Sequence, residues 1–498
     1  MKLLATGLVV SACFLLPSGA RAQNAATYVP PPGTTKAPGI KFEQDGDVRA
    51  GSLGLAGTAN LPLDWAAADG GPGVIDITTF IPNPLTPNQP THKLILSLTH
   101  AALLSRDPNA GGGADPLVGI GADSTLFQGG SPQNGQMIGA GQSPWNWSAA
   151  QSVPARYDLT NCYRHTRKDS CGHVWLLWGS EIRQFSNDFH WDLELNHAGI
   201  SLVQTGGIGT LTEGDDSGQL VGNGSQGGRT VGDVIISADA PQGGPADMSV
   251  HVWTELSPGF FDWLVVLPPG FDCDGNPLTT GDQDFDGVAG QDTTVYGRVV
   301  FGGGIPGGFW KHFDSDGSTT DNITGSTLVE SAVDLTALGV SFDPCSTAGT
   351  AVFKSRTSSS FNGALKDFSL VPFRTSPWTN VGNGLAGTQG VPLLGGSGCL
   401  APATTAVLSL AQARPGAAAS LILGLSAINA PFKGGVMVPN PDFIITGLVT
   451  SPAGSITLSN SWPASVPSGL TVFHQYWISD PVGPAGFAAS NGAAATKP

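Results

Sequence analysis

The sequence predicts an all-β protein: a jelly-roll-like antiparallel β-sandwich carrying an aspartate-rich insertion, followed by a second, smaller C-terminal β-sandwich. Three observations predict it. Short apolar runs recur along most of the 498 residues, and several alternate with period two. The 70 glycines and 38 prolines punctuate those runs, while 40% hydrophobic content is enough to bury real cores. Finally, the length exceeds one ordinary domain, and the texture changes twice along the chain.

The N-terminus, MKLLATGLVVSACFLLPSGARAQ, has a positive Lys2, an apolar stretch from Leu3 to Leu16 and a small-x-small motif at Ala20-Arg21-Ala22. These are the parts of an export signal over residues 1–22. A lipoprotein box ending at Cys13 is the alternative, weakened by the apolar Phe14-Leu15-Leu16 that follows. Losing Lys2 and Arg21 takes the formal charge from −16 to −18. No later segment has the ~20 apolar residues of a membrane helix. An acidic chain with only 12% charged residues also lacks the basic clusters that nucleic acid requires. The expected location is secreted or cell-envelope.

Residues 23–50 are rich in Pro and Thr and read as a flexible lead-in. The large domain is expected over 51–373. HKLILSL, HVWLLWG, HWDLELN, GDVIISAD and SVHVWTEL are its clearest strands. In HWDLELN, Trp191, Leu193 and Leu195 share one face; His190, Asp192, Glu194 and Asn196 share the other, expected to meet solvent. Residues 257–325 form the insertion, and ESAVDLTALGV (330–340) and 350–370 are where short helices are expected. Residues 374–384 read as a linker. The remaining 385–498 contain TAVLSLA, ASLILGLSAI, PDFIITGLV, SITLSNSW and LTVFHQYWISD, enough strands for a small sandwich.

Export places the cysteines in an oxidising compartment. Cys162 and Cys171 frame the turn YRHTRKDS, predicting a hairpin disulfide. The zinc alternative gathers Cys162, His165, Cys171 and His173, but its C-x-H half is not a usual zinc pattern. Cys273 with Cys345 is a second candidate bridge that would leave Cys399 over, with other pairings open.

GDQDFDGVAGQD (281–292) is the stretch that looks most like chemistry. Asp282, Asp284 and Asp286 recur at alternate positions before Gly287, a spacing that turns three carboxylates toward one hard cation. Asp292 supplies a fourth ligand. It falls one residue short of the EF-hand's bidentate acid, whose place Thr293 takes, so a calcium loop in a β-context is expected. Asp272, Asp274, Asp314 and Asp316 form a further candidate ligand set. Nine aspartates in 271–321 face only Arg298 and Lys311, a repulsion that a structural Ca²⁺ relieves. The competing reading is a set of solvated Asp-Gly turns.

Enzyme motifs are sparse. There is no G-x-S-x-G elbow, no H-E-x-x-H, and GNGSQGG lacks the GK[ST] ending of a phosphate loop. Glycoside hydrolysis by Asp192 and Glu194 on one strand face is the enzyme alternative. Trp145 and Trp147, in SPWNWS, are candidate stacking residues for a glycan, with a core role as the competing reading.

Two resemblances extend this reading. DSTLFQGGSPQN, YDLTNCYRHTR, GHVWLLWGSEIR, HWDLELN, GGRTVGDVIISADAPQGG, VDLTALG and FKSRTSSSFNGALKDF make the large domain, about residues 50–373, resemble secreted bacterial β-domains of jelly-roll, lectin-like build. GTQGVPLLGGSG, ASLILGLS, PFKGG, LTVFHQYWISDP and AGFAASNG are similar to a small β-domain that often ends exported bacterial proteins. Both imply β-folds and export, and neither implies catalytic residues. The expected function is therefore an exported, non-enzymatic structural or adhesive β-sandwich protein with a calcium site, whose partners are glycans or other envelope or matrix components. A carbohydrate-active protein is the alternative.

Overall fold

The structure is a computed structural model. It describes residues 48, 65, 74–75, 80–85, 93–97, 101–106, 126–128, 132–148, 153–168, 173–185, 188–204, 217–240, 247–266, 295–299, 305–308, 310–314, 318–325, 327–346 and 348–498. The fold is all-β, with no α-helix among these residues. The region expected to hold short helices contains the strands Leu328–Asp334, Thr350–Arg356 and Leu365–Pro372 instead. Their apolar residues alternate, and burial on both faces lets polar and apolar positions alike stay in sheet.

Two sheets build the large sandwich. A seven-stranded sheet runs Ile81–Pro82, Lys93–Leu96, Ala102–Arg106, Leu159–Lys168, Val174–Ile182, Leu328–Asp334, Val295–Val299. The second sheet has ten strands. Six of them are β1 (Phe189–Asn196), β2 (Val234–Ala240), β3 (Asp247–Ser257), β4 (Phe260–Val266), β5 (Thr350–Arg356) and β6 (Leu365–Pro372). They lie in the order β4-β3-β2-β1-β5-β6, all antiparallel.

The main core lies between the sheets. Trp178, Val329 and Val333 from one meet Trp191, Leu193, Ile236 and Phe353 from the other. Each sheet is also covered on its outer face. Trp65, Trp310 and Ile75 pack on Tyr163 and Leu177 of the seven-stranded sheet. On the ten-stranded sheet, Trp145, Trp147 and Ile138 pack on Val352, Phe368 and Leu370. Consequently the second face of β1, expected to meet solvent, is as buried as the first.

The expected linker 374–384 contains the strand Trp378–Gly382, which pairs with Gly492–Thr496 in the C-terminal sheet. Trp378 is buried in that sheet's core. The C-terminal part stacks a six-stranded sheet, including β7 (Ala418–Gly424), β8 (Phe443–Val449) and β9 (Thr471–Ser479), on a three-stranded one.

The cysteines differ from expectation. Cys345 is bonded to Cys399, so Cys399 is not the one left over. Cys273 and Cys171 lie outside the described residues. The expected Cys162–Cys171 bridge is at odds with the register. Cys162 stands opposite Ser180, whereas the hairpin's described end is at Lys168 opposite Val174, about 20 Å along the strand. The zinc alternative fails by the same geometry, because Cys162 enters the main core while His165, three positions on, projects from the other face.

Candidate functional site

HWDLELN and AVFKSR lie on adjacent strands. Their alternation sends one set of residues into the main core and the other to the outer face of the ten-stranded sheet. Register places Lys354 opposite Asp192, Arg356 opposite His190, and Val352 opposite Glu194. On the far side of β1, Ser237 stands opposite Asp192 and Asp239 opposite His190. A third cation, Arg229, arrives from the glycine-rich loop before β2. That loop approaches the 138–139 backbone closely: a Cβ on Gly228, whose φ is +96°, would lie 2.4 Å from the Gly139 nitrogen.

These groups form one closed network. Asp192 accepts from Arg356 Nε at 2.8 and 3.0 Å, from Ser237 Oγ at 2.6 Å and from Asn134 Nδ2 at 2.7 Å. Glu194 accepts from Arg229 Nε at 2.9 Å, from Asn196 Nδ2 at 2.9 Å and from Lys354 Nζ at 2.5 Å. Lys354 Nζ also donates to Asn134 Oδ1 at 2.7 Å. Asp192, Glu194, Arg229, Lys354, Arg356 and Asn134 have no solvent exposure. The rings of Trp145, Trp253 and Trp263 stand about the Arg229 guanidinium, and Trp145 lies 4.8 Å from Lys354 Nζ.

The electrostatics follow from that enclosure. Burial alone would raise the Glu194 carboxyl, but the charges and hydrogen bonds of Arg229 and Lys354 outweigh it and bring it down to about 2. Burial lowers the Lys354 amine, and the attraction of Glu194 and Asp192 only partly restores it. Arg356 is lowered by burial and raised further by Asp192 and Asp239, for a net rise. His251, stacked on Phe361, is pushed down to about 4, chiefly by burial.

This arrangement is unlike a glycosidase pair. A general acid needs a carboxyl raised toward neutrality beside a cleft. Glu194 is held ionised, and Asp192 has all its partners within the protein. The expected solvent face is therefore a buried charge layer, capped by residues 132–148.

Trp145 and Trp147 are corrected likewise. They are 0% and 2% exposed, Trp145 Nε1 donates to Gln133 O at 3.0 Å, and both rings belong to the outer core. Neither presents a face to a sugar.

Of the candidate metal ligands, Asp272, Asp274, Asp282, Asp284, Asp286, Asp292 and Asp316 lie outside the described residues. Asp314 is described. Its backbone nitrogen donates to Ser318 O at 2.8 Å, and its carboxylate accepts from Thr324 at 3.3 Å. Among the described residues no group of three or more His, Cys, Asp or Glu is placed to hold a metal. No described helix is long and apolar enough to cross a membrane.

Sequence reasoning missed Lys354, Arg356, Arg229 and Asn134. The signal was present: two cations at alternate positions of an apolar strand, matching two carboxylates at alternate positions of another. Charges spaced this way inside buried strands need partners on the same face.

Fold and cluster define a class: an all-β protein of stacked antiparallel sheets with an ion network sealed beneath one of them. No protein-family model matches the chain, and no curated protein does. Among solved structures, the chain aligns with dimeric latent PorU from Porphyromonas gingivalis at 12% identity and a TM-score of 0.16, over 71% of this chain. The match spans 34% of that structure's length.

Proposed function

We propose that this is an exported protein of the cell envelope or extracellular matrix, with a structural or adhesive role and a calcium-stabilised aspartate loop. The observation that carries the reading is β8. It is an edge strand of the C-terminal sheet, and among the described residues it pairs with β7 on one side only. Its sequence, FIITGLV, contains no charge and no proline. Phe443 and Val449 are each 63% exposed, Ile444 55% and Ile445 43%. Soluble proteins ordinarily blunt such an edge with lysine, proline or a covering segment.

The occupant that fits is a second copy of the strand. A lipid surface would leave the backbone N–H and C=O groups of the free edge unsatisfied, whereas an antiparallel strand satisfies them. A two-fold axis sets the same apolar residues against themselves. Charge does not oppose it, since residues 385–498 carry Arg414, Lys433 and Lys497 against Asp442 and Asp480 while the chain as a whole is at −16. With nearby Leu425 and Ile428, the exposed apolar surface is about 600 Å² per copy, so a pair removes about 1,200 Å², the lower end for a specific interface. The Cys345–Cys399 bridge supports export, because such bonds persist in oxidising compartments.

Sedimentation of the mature protein over a concentration series tests the reading. The expected result is a dimer that Ile444→Lys and Val449→Lys each convert to monomer without loss of fold. A wild-type chain that stays monomeric at high concentration overturns assembly through β8.

A further inference from the structure

Lys354 is the one lysine of the buried network, and it shares Glu194 with Arg229. The fully enclosed groups are two carboxylates, Asp192 and Glu194, and three cations, Arg229, Arg356 and Lys354. Arg229 already pairs with Glu194, and Arg356 with Asp192. The near-surface Asp239 serves Arg356 and His190, not the amine. A fully buried lysine is among the rarest placements for that side chain, and holding an ammonium there is costly.

The amine also meets a side-chain amide. Lys354 Nζ lies 2.7 Å from Oδ1 of Asn134 and 2.5 Å from Oε2 of Glu194, with Trp145 closing the other side. Asn134 is held still for it. Its backbone oxygen accepts from Trp263 Nε1 at 3.0 Å and Arg229 at 3.2 Å, and its Nδ2 donates to Asp192 at 2.7 Å. These bonds fix the amide plane and leave the carbonyl toward the amine. A nucleophile, an acyl carbon and a carboxylate within proton-transfer reach, all shielded from water, are what amide exchange needs.

We propose that Lys354 and Asn134 are joined by an intramolecular isopeptide bond formed by the folded protein itself, with Glu194 carrying the proton. Glu194 takes one proton from the Lys354 ammonium, freeing the Nζ lone pair. Nζ attacks Cγ of Asn134, and the carbonyl electron pair moves to Oδ1. A second Nζ proton passes across the adduct to Nδ2, the carbonyl re-forms, and the Cγ–Nδ2 bond breaks to release ammonia. The ammonia takes back the proton held by Glu194 and leaves as ammonium. Atoms and charge balance, with no oxidant or co-reactant needed. The ammonium charge is gone from the enclosed layer, and the new amide N–H can still donate to Glu194.

The consequence is mechanical. Asn134 belongs to the segment that covers the outer face of the ten-stranded sheet, and Lys354 to β5 beneath it. The bond ties cover to sheet across 220 residues of sequence. The bond requires only this geometry and no assembly through β8.

Mass spectrometry of the intact mature protein, followed by peptide mapping, tests it. The expected result is a chain lighter by one ammonia, with a branched peptide joining the 134 and 354 segments. Asn134→Ala and Lys354→Met should restore the unmodified mass, and Glu194→Gln should abolish or greatly slow the loss in protein that keeps its β-sheet circular dichroism. If these variants do not fold, the wild-type map alone decides, through presence or absence of the branched peptide. An unmodified wild-type mass overturns the proposal. So does ammonia lost elsewhere, as from a succinimide or a cyclised N-terminal glutamine, which would persist in Lys354→Met.

Discussion

Cys345 and Cys399 are joined with their Cα atoms 4.9 Å apart, one in the loop before β5 and the other just past the strand Leu393–Ser397. The bond spans the passage from the large sandwich to the C-terminal sheets, 54 residues apart in sequence. Closing a loop of that length removes unfolded-state freedom that a Ser variant would regain. Cys399→Ser should therefore lower stability by about 4 kcal/mol at most. Chemical unfolding of wild type and variant, each without reductant, measures it. A reductant should bring the wild type to the variant's midpoint.

Breaking the buried network should cost more than any surface charge. Arg356→Met leaves Asp192 without the Nε–H that reaches both its oxygens, and Asp239 without its arginine, with only His190 left to it. Removing one member of a buried pair typically costs about 3–5 kcal/mol. At exposed Lys311, paired with exposed Asp321, the change to Met should cost under about 1 kcal/mol. Comparable denaturant midpoints for the two variants would show that water reaches the network.

Three histidines give the fold an acid limit. Burial pushes His165 down to about 3, with Arg167 adding to it. Burial likewise brings His251 and His474 down to about 4. A histidine depressed in the fold favours folding above its ordinary value near 6.5, and that stability is lost as pH falls through the window toward 4 and 3. At pH 5 each contributes a loss of about 2 kcal/mol. The melting temperature should fall steadily below pH 6.5, and His251→Phe should flatten the decline. A flat profile from pH 7 to pH 5 contradicts the neutral, enclosed state of these rings.

The β-character of this chain was legible in its alternation, and so was the inward face of β1, because Trp191, Leu193 and Leu195 mark it by their chemistry. The other face was misread for a physical reason. Polar residues on alternate positions look the same whether water or a layer of cations covers them. Only pairing β1 with β5 tells the two apart, and that pairing joins residues more than 150 positions apart. The cysteines failed similarly: proximity in sequence suggested a hairpin bridge, whereas the strand register sets Cys162 against Ser180. Trp145 and Trp147 sat in a segment read as a loop, and Asn146–Ser148 proved to be a short strand in a wide sheet. Trp378 shows the reverse, a buried core residue within what composition marked as a linker.

The aspartate loop yields the last prediction. Asp282, Asp284 and Asp286 alternate before Gly287, and an ion that binds the folded loop but not the unfolded chain must stabilise the fold. At 100 times its dissociation constant, calcium should add about 2.7 kcal/mol. Thermal unfolding of the mature protein in EDTA, then with added calcium, should show an upward shift in melting temperature. The triple variant Asp282→Asn, Asp284→Asn, Asp286→Asn should melt at one temperature in both buffers. It should also melt above the EDTA-treated wild type, because three mutually repelling carboxylates are gone. If calcium moves neither protein, the stretch is a run of solvated Asp-Gly turns. If it moves both equally, the ion sits elsewhere, with Asp272, Asp274, Asp314 and Asp316 the next residues to substitute.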